Sequence, residues 1–565
     1  TPEEHWLRAA VAYQIAGYHA RAYVLAQRLR ADAQSVDQWT RTLTAFLRRD
    51  LRRLSAEASA AVFNSETSDS ALAATLGGLA DGAEPRLGED DAVAALGRRS
   101  LASAMLLYIE YLKGGREPLL VRARSVANEV ALLGRDARQV DLWWWGRALA
   151  HLLREAGDSG IWRHLPQLSP LPTSPALQRY IESHVTSVPA VTCLWPSQLQ
   201  GMALITASAR PSFCLRMPTS AGKTKIAELA IIEALARDTS MTAKCIYVAP
   251  YRALAIEVER TLSAALRPFG ARVSEIYGGF DLTDRDTDLI ADTQVLITTP
   301  EKLDAVMRLK PELLDNVSLV VMDEGHLAGD GSGRGLRFET LITRLIRRFG
   351  RTACRYLFVS AVLPNVGDFA QWLGGSVDAQ LVDTWRPTRL LLGECQWNGR
   401  RVRVAYTQDA DKTLDPKVFV PKLVEATPVQ GIAGAGRRRN AFPHDRIEAF
   451  ATTALTLTRY GATLVFVPQA QHVESTARQI LEAKRMIAGL AAAGRWASSP
   501  PDPSPADPFL KDCLIAVRDE LGPESGLIAS VEAGIAVHHS RLPTRARHAM
   551  EALIRNGPAK MIVAT

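Results

Sequence analysis

The segment Met217-Pro218-Thr219-Ser220-Ala221-Gly222-Lys223-Thr224 has the residue types of a phosphate-binding turn. An apolar run, Phe213 to Met217, precedes it and a helical run, Ile226 to Ala236, follows it. Backbone N–H groups and a helix start would therefore point at phosphate oxygens, with Lys223 on the β- and γ-phosphates and the Thr224 hydroxyl on Mg2+. Met217 stands where the general form G-x-x-x-x-G-K-[ST] opens on glycine. Further along, the apolar run Leu319-Val320-Val321-Met322 delivers Asp323-Glu324-Gly325-His326. A carboxylate at such a strand end can hold Mg2+ through water, and its neighbour can accept a proton from an attacking water. Asp323 is thus the candidate metal partner and Glu324 the candidate base, with Lys223 and His326 completing the catalytic set. Upstream, Leu194-Trp195-Pro196-Ser197-Gln198 offers one amide that can pair with both edges of adenine, although a lone Gln is more often a surface residue. ATP and Mg2+ are the ligands these residues call for, with Gln198, Thr219, Ser220, Ala221, Gly222, Lys223 and Thr224 on the nucleotide. A chance G-K-T in a loop, or a solvated helix start at Asp323, is the bland alternative, and the flanking run types weigh against it.

Positioning such groups requires strands whose carboxyl ends share one edge. From Cys193 onward, short apolar runs ending in Pro, Asp or Ser alternate with helical patterns, the texture of a parallel sheet with crossover helices. Candidate strands are Phe213 to Met217, Lys244 to Ala249, Gln294 to Thr298, Ser318 to Met322 and Tyr356 to Ser360. Open sheets of this kind bind ligands at the carboxyl ends of their strands. After Trp385-Arg386-Pro387 a second such unit is expected, with strands near Thr463 to Val467, Gly534 to His538 and Lys560 to Ala564. Two segments interrupt it, a Gly/Arg-rich stretch around Gly434 to Asn440 and the Pro/Ser/Asp-rich Ser498 to Pro508, which reads as a linker or exposed loop.

The first 190 or so residues read as helices only. Trp6, Ala10 and Tyr13 share a face, Gly17 interrupts, and a second helix runs through Tyr23, Leu25 and Leu29. Further helices are expected at Leu101 to Leu112 ending at Gly114-Gly115, Leu120 to Leu133 ending at Gly134, and Asp141 to Glu155 ending at Gly157. The stretch Asn64 to Asp91 reads as a loop. Trp143-Trp144-Trp145 steps around a helix, so one indole at least should face outward.

The 565 residues are 47% hydrophobic and 22% charged, which excludes a disordered or fibrous chain and allows roughly three to four domains. Lys plus Arg exceed Asp plus Glu by 67 to 60, and the resulting +7 permits a polyanionic partner without demanding one. The six cysteines show no C-x-x-C spacing, and His548 and the other histidines form no metal constellation. No apolar run approaches the roughly 18 residues of a membrane span, and the start has no leader pattern. The reading is of a soluble, cytoplasmic protein with no membrane partner. The chain opens without Met and stops on the strand-like Ile562-Val563-Ala564-Thr565, so a piece of a longer chain is expected.

Gln198, the P-T-S-A-G-K-T loop, Ala249-Pro250-Tyr251-Arg252-Ala253-Leu254-Ala255, Thr299-Pro300-Glu301-Lys302, the D-E-G-H box and Ser360-Ala361-Val362 stand in the order of motifs Q, I, Ia, Ib, II and III of superfamily 2 nucleic-acid helicases. Arg334-Gly335, His538-His539-Ser540, Phe466-Val467-Pro468 and Ala564-Thr565 resemble the superkiller and archaeal repair-helicase branch, and the resemblance covers residues 193 to 565. It implies an α/β fold: an all-helical N-terminal domain (1–190), a RecA-like ATP-binding domain (191–384) and a second, incomplete RecA-like domain (385–565) with insertions near 430–442 and 496–510. It further implies a single strand held across both sheets with ATP between them. Pro250, Arg252, Gly278, Gly279, Thr299 and Pro300 would face that strand from the first domain, and Pro468, His539, Ser540 and Thr565 from the second. Each of these taken singly fits an ordinary turn or cap about as well. Such contacts would be salt-sensitive and sequence-tolerant.

Val362 replaces the usual Thr of S-A-T, removing a hydroxyl that could bond the Asp-Glu box. The chain also ends before the motif that would supply an arginine finger, so this stretch alone would hydrolyse ATP weakly. The reading is an ATP-dependent helicase or translocase on single-stranded DNA or RNA, DNA slightly favoured. The rival is a nucleotide-gated clamp or sensor that does not unwind processively. Ala12-Tyr13-Gln14-Ile15-Ala16-Gly17-Tyr18 resembles the opening of helicase subunits of Hachiman-type bacterial antiviral defence systems, which implies an effector protein docked on the helical domain. Arg437-Arg438-Arg439 could touch nucleic acid, with a solvated loop at least as good a reading.

Overall fold

The computed structural model describes residues 2–29, 37–63, 89–171, 174–238, 240, 242–278, 281–329, 331, 333–388, 390–407, 419–430 and 440–565. The reading of Asn64 to Asp91 as a loop therefore falls, over 64–88, outside the described residues, as do Gly279 and Arg437 to Arg439. Two compact units emerge, Thr1–Arg389 and Leu390–Thr565.

The first unit opens with helices alone, among them Pro2–Ile15, His19–Arg28, Gln38–Leu47, Leu51–Phe63, Glu89–Gly114, Glu117–Asp136, Val140–Asp158 and Pro175–Val185. Two glycines expected to end helices instead sit inside them, because they serve close packing. A Cβ on Gly134 would lie 2.4 Å from the Trp143 nitrogen, and Gly157 would meet the Leu120 side chain at 2.8 Å. Trp6 is 57% exposed, so the buried face of the first helix is Leu7, Ala10 and Val11 rather than the one through Trp6. Of the three consecutive indoles, Trp145 is buried and Trp143 faces outward. The expectation about apolar length is also corrected. Ala92–Gly114 is long and apolar enough to cross a membrane by length and composition, because its charges are few even though no unbroken apolar run exists. Leu101, Ala102, Ala104, Met105 and Leu112 of that helix are buried in the core.

The α/β part carries a seven-stranded sheet of order β3-β4-β2-β5-β6-β1-β7. The strands are β1 (Phe213–Arg216), β2 (Lys244–Val248), β3 (Val273–Ile276), β4 (Val295–Thr298), β5 (Val317–Asp323), β6 (Arg355–Ser360) and β7 (Gln380–Val382). Every pairing is parallel. Parallel pairing needs a crossover for each return, and the helices Lys223–Arg237, Arg252–Leu266, Asp284–Asp292, Pro300–Leu309, Gly333–Phe349 and Val366–Trp372 lie in them. One continuous core runs from Leu7 of the first helix to Leu381 of β7. The helical region and the sheet are thus packed as one body.

The second unit departs from a purely parallel unit. It begins with an antiparallel sheet of order β10-β9-β8, made of β8 (Leu392–Trp397), β9 (Arg401–Thr407) and β10 (Phe419–Glu425). Along β9, Val402 and Val404 are buried while Arg401 and Arg403 are exposed, the period-two alternation of a half-buried strand. The short strands β11 (Thr427–Pro428) and β12 (Ala441–Phe442) follow, then the parallel sheet β13-β15-β14. Its strands are β13 (Thr463–Phe466), β14 (Ile535–His538) and β15 (Met561–Ala564), where the sequence pattern places them. The Pro-rich segment is held down rather than free. The Lys484 ammonium, on a side chain 8% exposed, pairs with Asp502 at 2.7 Å and donates to the Ala533 carbonyl at 2.7 Å.

Candidate functional site

The turn after β1 is shaped by two positive φ angles, 67° at Ser220 and 93° at Gly222, which send the chain into the helix Lys223–Arg237. The Met217 N–H donates to the Ser360 carbonyl at 3.1 Å, and the Ser197 hydroxyl donates to the Ala221 carbonyl at 2.9 Å. Gln198 lies across the loop. Its Oε1 accepts from the Trp195 N–H at 2.8 Å, and its Nε2 is 2.4 Å from the point a Cβ on Gly222 would occupy. One face of the amide is thereby used to cap its own helix, which leaves Nε2 as its free donor.

The side chains of Lys223 and Thr224 make no hydrogen bond or ion pair among the described residues, although both are only half exposed. Nearby groups show that this is not a shortage of acceptors. Two positions on, Lys225 spends its ammonium on three of them. A cation and a hydroxyl left unpaired among the described residues at a helix start, beside a tight glycine turn, have the donor set a triphosphate requires.

Asp323 ends β5 and is 8% exposed. Tyr247 of β2 donates its hydroxyl to Oδ2 at 2.7 Å, and the Glu324 N–H donates to Oδ1 at 2.9 Å. Burial raises the Asp323 carboxyl above its usual range, while these bonds and the Lys223 charge pull it back. The ammonium of the loop and the carboxylate of the box therefore act on each other. Glu324 holds φ 51°, uncommon for a residue with a side chain. Its neighbour must be glycine, since a Cβ on Gly325 would stand 2.1 Å from Phe358 Cδ1. His326 Nδ1 lies 3.1 Å from both Glu324 Oε2 and Ser360 Oγ. The Ser360 hydroxyl in turn donates to the Val362 carbonyl at 3.0 Å. The Val362 side chain is 67% exposed. The segment after β6 thus reaches the acidic box through Ser360 and His326, not through residue 362.

The other described candidates of the first unit lie at the same carboxyl edge. Arg252 stacks over Tyr277 at 5.5 Å, and its Nη2 is 3.3 Å from the Cβ position of Gly278. Thr299, which caps the helix Pro300–Leu309, is buried with its hydroxyl unpaired among the described residues. Pro250 and Pro300 line a pocket of about 240 Å³ with Glu301 and Arg334. In the second unit, Pro468 follows β13, His539 and Ser540 follow β14, and Thr565 follows β15. The Thr565 N–H donates to the His538 carbonyl at 3.2 Å. His539 is 4% exposed with neither ring nitrogen hydrogen-bonded among the described residues; its Nε2 lies 3.7 Å from Glu474, and burial lowers its basicity.

One arrangement contradicts the absence of a histidine-centred cluster. His444, Asp445 and Glu448 bring ligand atoms within 4.8 Å of one another. Each already caps the helix Arg446–Leu457: Asp445 accepts from the Glu448 N–H at 2.9 Å, and Glu448 accepts from the His444 N–H at 3.0 Å. The trio, with His444 and Asp445 exposed and Glu448 half-buried, is a capping arrangement.

Residues 195–369 match the family model described as DEAD/DEAH box helicase. They are a DEAD/DEAH box helicase domain. Similar proteins include the Hachiman protein HamB of Bacillus cereus, 31% identical over 473 residues, covering 82% of this chain and 40% of that protein. The ATP-dependent DNA helicase Hel308 of Thermoplasma volcanium is 34% identical over 226 residues, 40% of this chain and 31% of that protein. The DExH-box ATP-dependent RNA helicase DExH13 of Arabidopsis thaliana is 36% identical over 188 residues, 31% of this chain and 8% of that protein. The chain spans at most 40% of the length of these relatives. Both resemblances read from the motifs, to the superkiller and archaeal repair branch and to the Hachiman type, hold.

The helicase domain contains supporting contacts that motif reading did not supply. Arg334 ties two candidate strand-facing segments together: it donates to the Pro250 carbonyl, pairs with Glu301 at 3.4 Å and stacks over Tyr251 at 4.8 Å. Lys302, 4% exposed, pairs with Asp286 at 2.8 Å and donates to the Asp281 carbonyl, fixing the segment that follows Gly278. Tyr247 braces Asp323. The only sequence signal for these was Arg334-Gly335 and the Lys of T-P-E-K, and neither declares its partner.

Proposed function

We propose that the chain is the ATP-driven motor portion of a nucleic-acid helicase or translocase acting on single strands. The observation that carries this reading is the unpaired Lys223 and Thr224 at the helix start after β1, at the same carboxyl edge of the parallel sheet where β5 ends in the buried Asp323. In this reading, loop N–H groups from Thr219 to Gly222 and the Lys223 ammonium bind phosphate oxygens, and the Gln198 Nε2 faces the base. Thr224 and Asp323 would hold Mg2+, which neutralises charge on the phosphates when bound. Glu324 accepts the proton of the hydrolytic water, and His326 orients its carboxylate while Ser360 steadies His326.

Pro250, Arg252, Gly278, Gly279, Thr299 and Pro300, and in the second unit Pro468, His539, Ser540 and Thr565, would take the strand by its phosphates and sugars. Relatives are named for both DNA and RNA helicases, so their names do not separate the two. DNA is placed first. The similarity to a Hachiman protein supports membership in a bacterial antiviral defence complex, with an effector protein docked on the helical region. Six free cysteines suit the reducing cytoplasm.

The exposed, apolar Val362 favours a second reading, a clamp that closes on nucleic acid with nucleotide but displaces no strand. ATPase assays of the full-length protein against single-stranded and duplex DNA and RNA, run beside displacement of a tailed duplex, test both. Stimulation by single strands with displacement is the expected result. Stimulation without displacement favours the clamp, and no stimulation by any nucleic acid overturns the motor.

A further inference from the structure

The helix Pro175–Val185 meets the phosphate-loop helix Lys223–Arg237 through a buried polar cluster that no motif covers. Lys225 donates to the Tyr180 hydroxyl at 2.7 Å, to His184 Nε2 at 2.6 Å and to Glu228 Oε1 at 2.8 Å. Tyr180 donates its own hydroxyl to Glu228, and its ring lies 4.4 Å from that of His184. His184 Nδ1 faces the Tyr180 carbonyl at 3.0 Å. The donors and acceptors close consistently: a neutral His184 with its proton on Nδ1 leaves Nε2 to accept from Lys225. Tyr180 is 0% and Glu228 4% exposed.

Helix geometry gives the cluster its meaning. At about 100° per residue, Lys225 points roughly 200° away from Lys223, and Glu228 lies on the Lys225 side, one turn on. The cluster therefore grips this turn from the side away from Lys223, with Thr224 between the two. A buried Lys and Glu are costly, and an apolar contact would pack two helices as well. What a fully bonded polar cluster adds is a fixed register and rotation.

We propose that Tyr180 and His184 are positioning residues that fix the first turn of the phosphate-loop helix for ATP. The proposal rests on the reading of Lys223 and Thr224 as the ATP site. It makes the helical N-terminal region part of the nucleotide site's framework.

The test uses the full-length protein and four variants, His184→Leu, His184→Gln, Tyr180→Phe and Lys223→Ala, with steady-state ATPase and calorimetric ATP binding. Gln can present a carbonyl to Lys225 where Nε2 stood; Leu cannot. His184→Leu and Tyr180→Phe should each raise KM for ATP about tenfold, the equivalent of losing one hydrogen bond to a charged group, with kcat at saturating ATP within about twofold. His184→Gln should return KM to near the wild-type value. An unchanged KM in both His184→Leu and Tyr180→Phe, in proteins of wild-type thermal stability, overturns the proposal. So does a loss of kcat with KM unmoved, or equal defects in His184→Leu and His184→Gln. If a variant fails to fold, the other of the pair, together with His184→Gln, decides. Lys223→Ala keeps the two readings apart: undiminished ATP binding there removes the ATP site itself, whereas loss there with unmoved KM in the other variants removes only the positioning role.

Discussion

Lys223 and Glu324 separate binding from chemistry. Lys223→Ala removes an ammonium that makes no hydrogen bond or ion pair among the described residues, so the fold should stand with a melting temperature close to wild type while ATP affinity falls about 10²-fold or more. Calorimetry of ATP binding checks this, and undiminished affinity would count against the site. Glu324→Gln keeps the size and the His326 contact but cannot take a proton. Turnover should drop about 10²- to 10⁴-fold with ATP binding retained, and single-strand affinity in ATP should persist or rise. Collapse of strand affinity with ATP still bound would show that the acidic box is not what couples the two ligands. The candidate nucleotide residues were legible in the sequence because the loop and the acidic box are contiguous runs with fixed flanks. Tyr247 and Tyr180 were not, and Arg334 and Lys302 were marked only as motif letters, because each acts on a residue from another segment that its own neighbours in sequence do not name.

At the scale of the element, Gly325 shows how the sheet positions the candidate base, Glu324. It must let Glu324 turn through φ 51° while passing close over Phe358 of β6. Gly325→Ala would put a methyl 2.1 Å from a ring carbon in a close-packed core, where such overpacking costs about 1–3 kcal/mol. Thermal unfolding should register that loss, and kcat should fall with it because Glu324 and His326 move with the backbone. A variant equally stable but inactive would place the effect at the site alone; one with both unchanged would mean that β6 yields. The strands of the site were legible where they are apolar runs ending in chemistry, as in β1, β2, β4, β5 and β6. The edge strands β3 and β7 were not, being short and half polar. β9 hid because Arg401 and Arg403 read as a charged stretch, although the buried Val402 and Val404 between them carry the period of two. The helices of Gly134 and Gly157 were cut short because a glycine needed for helix contact and one that ends a helix look the same in one dimension.

The first unit shares one core from its first helix to its last strand, so strain in the helical region bears on the whole body that holds the site. Glu155 and His19 are where that strain follows pH. Burial pushes the Glu155 carboxyl from 4.5 up to about 7, with Arg49 opposing, and leaves its Oε2 unpaired among the described residues. His19, 3.2 Å away, is pushed by burial from 6.5 down to about 4. Between 4.5 and about 7 the folded chain holds a Glu155 proton that the unfolded chain releases, so this contribution is present at low pH and lost as pH rises through about 7. His19 runs the other way: its contribution is present above 6.5 and lost as pH falls toward about 4. The two oppose each other below 6.5, while above it His19 is neutral in both states and only the Glu155 slope remains. Melting temperature measured between about pH 6.5 and 8 should therefore fall in the wild-type chain relative to Glu155→Gln, whose amide keeps a donor toward His19 and cannot ionise. Parallel curves for the two proteins would mean that Glu155 is already charged throughout that window, and that the helical region carries no such burden into the body it shares with the phosphate loop.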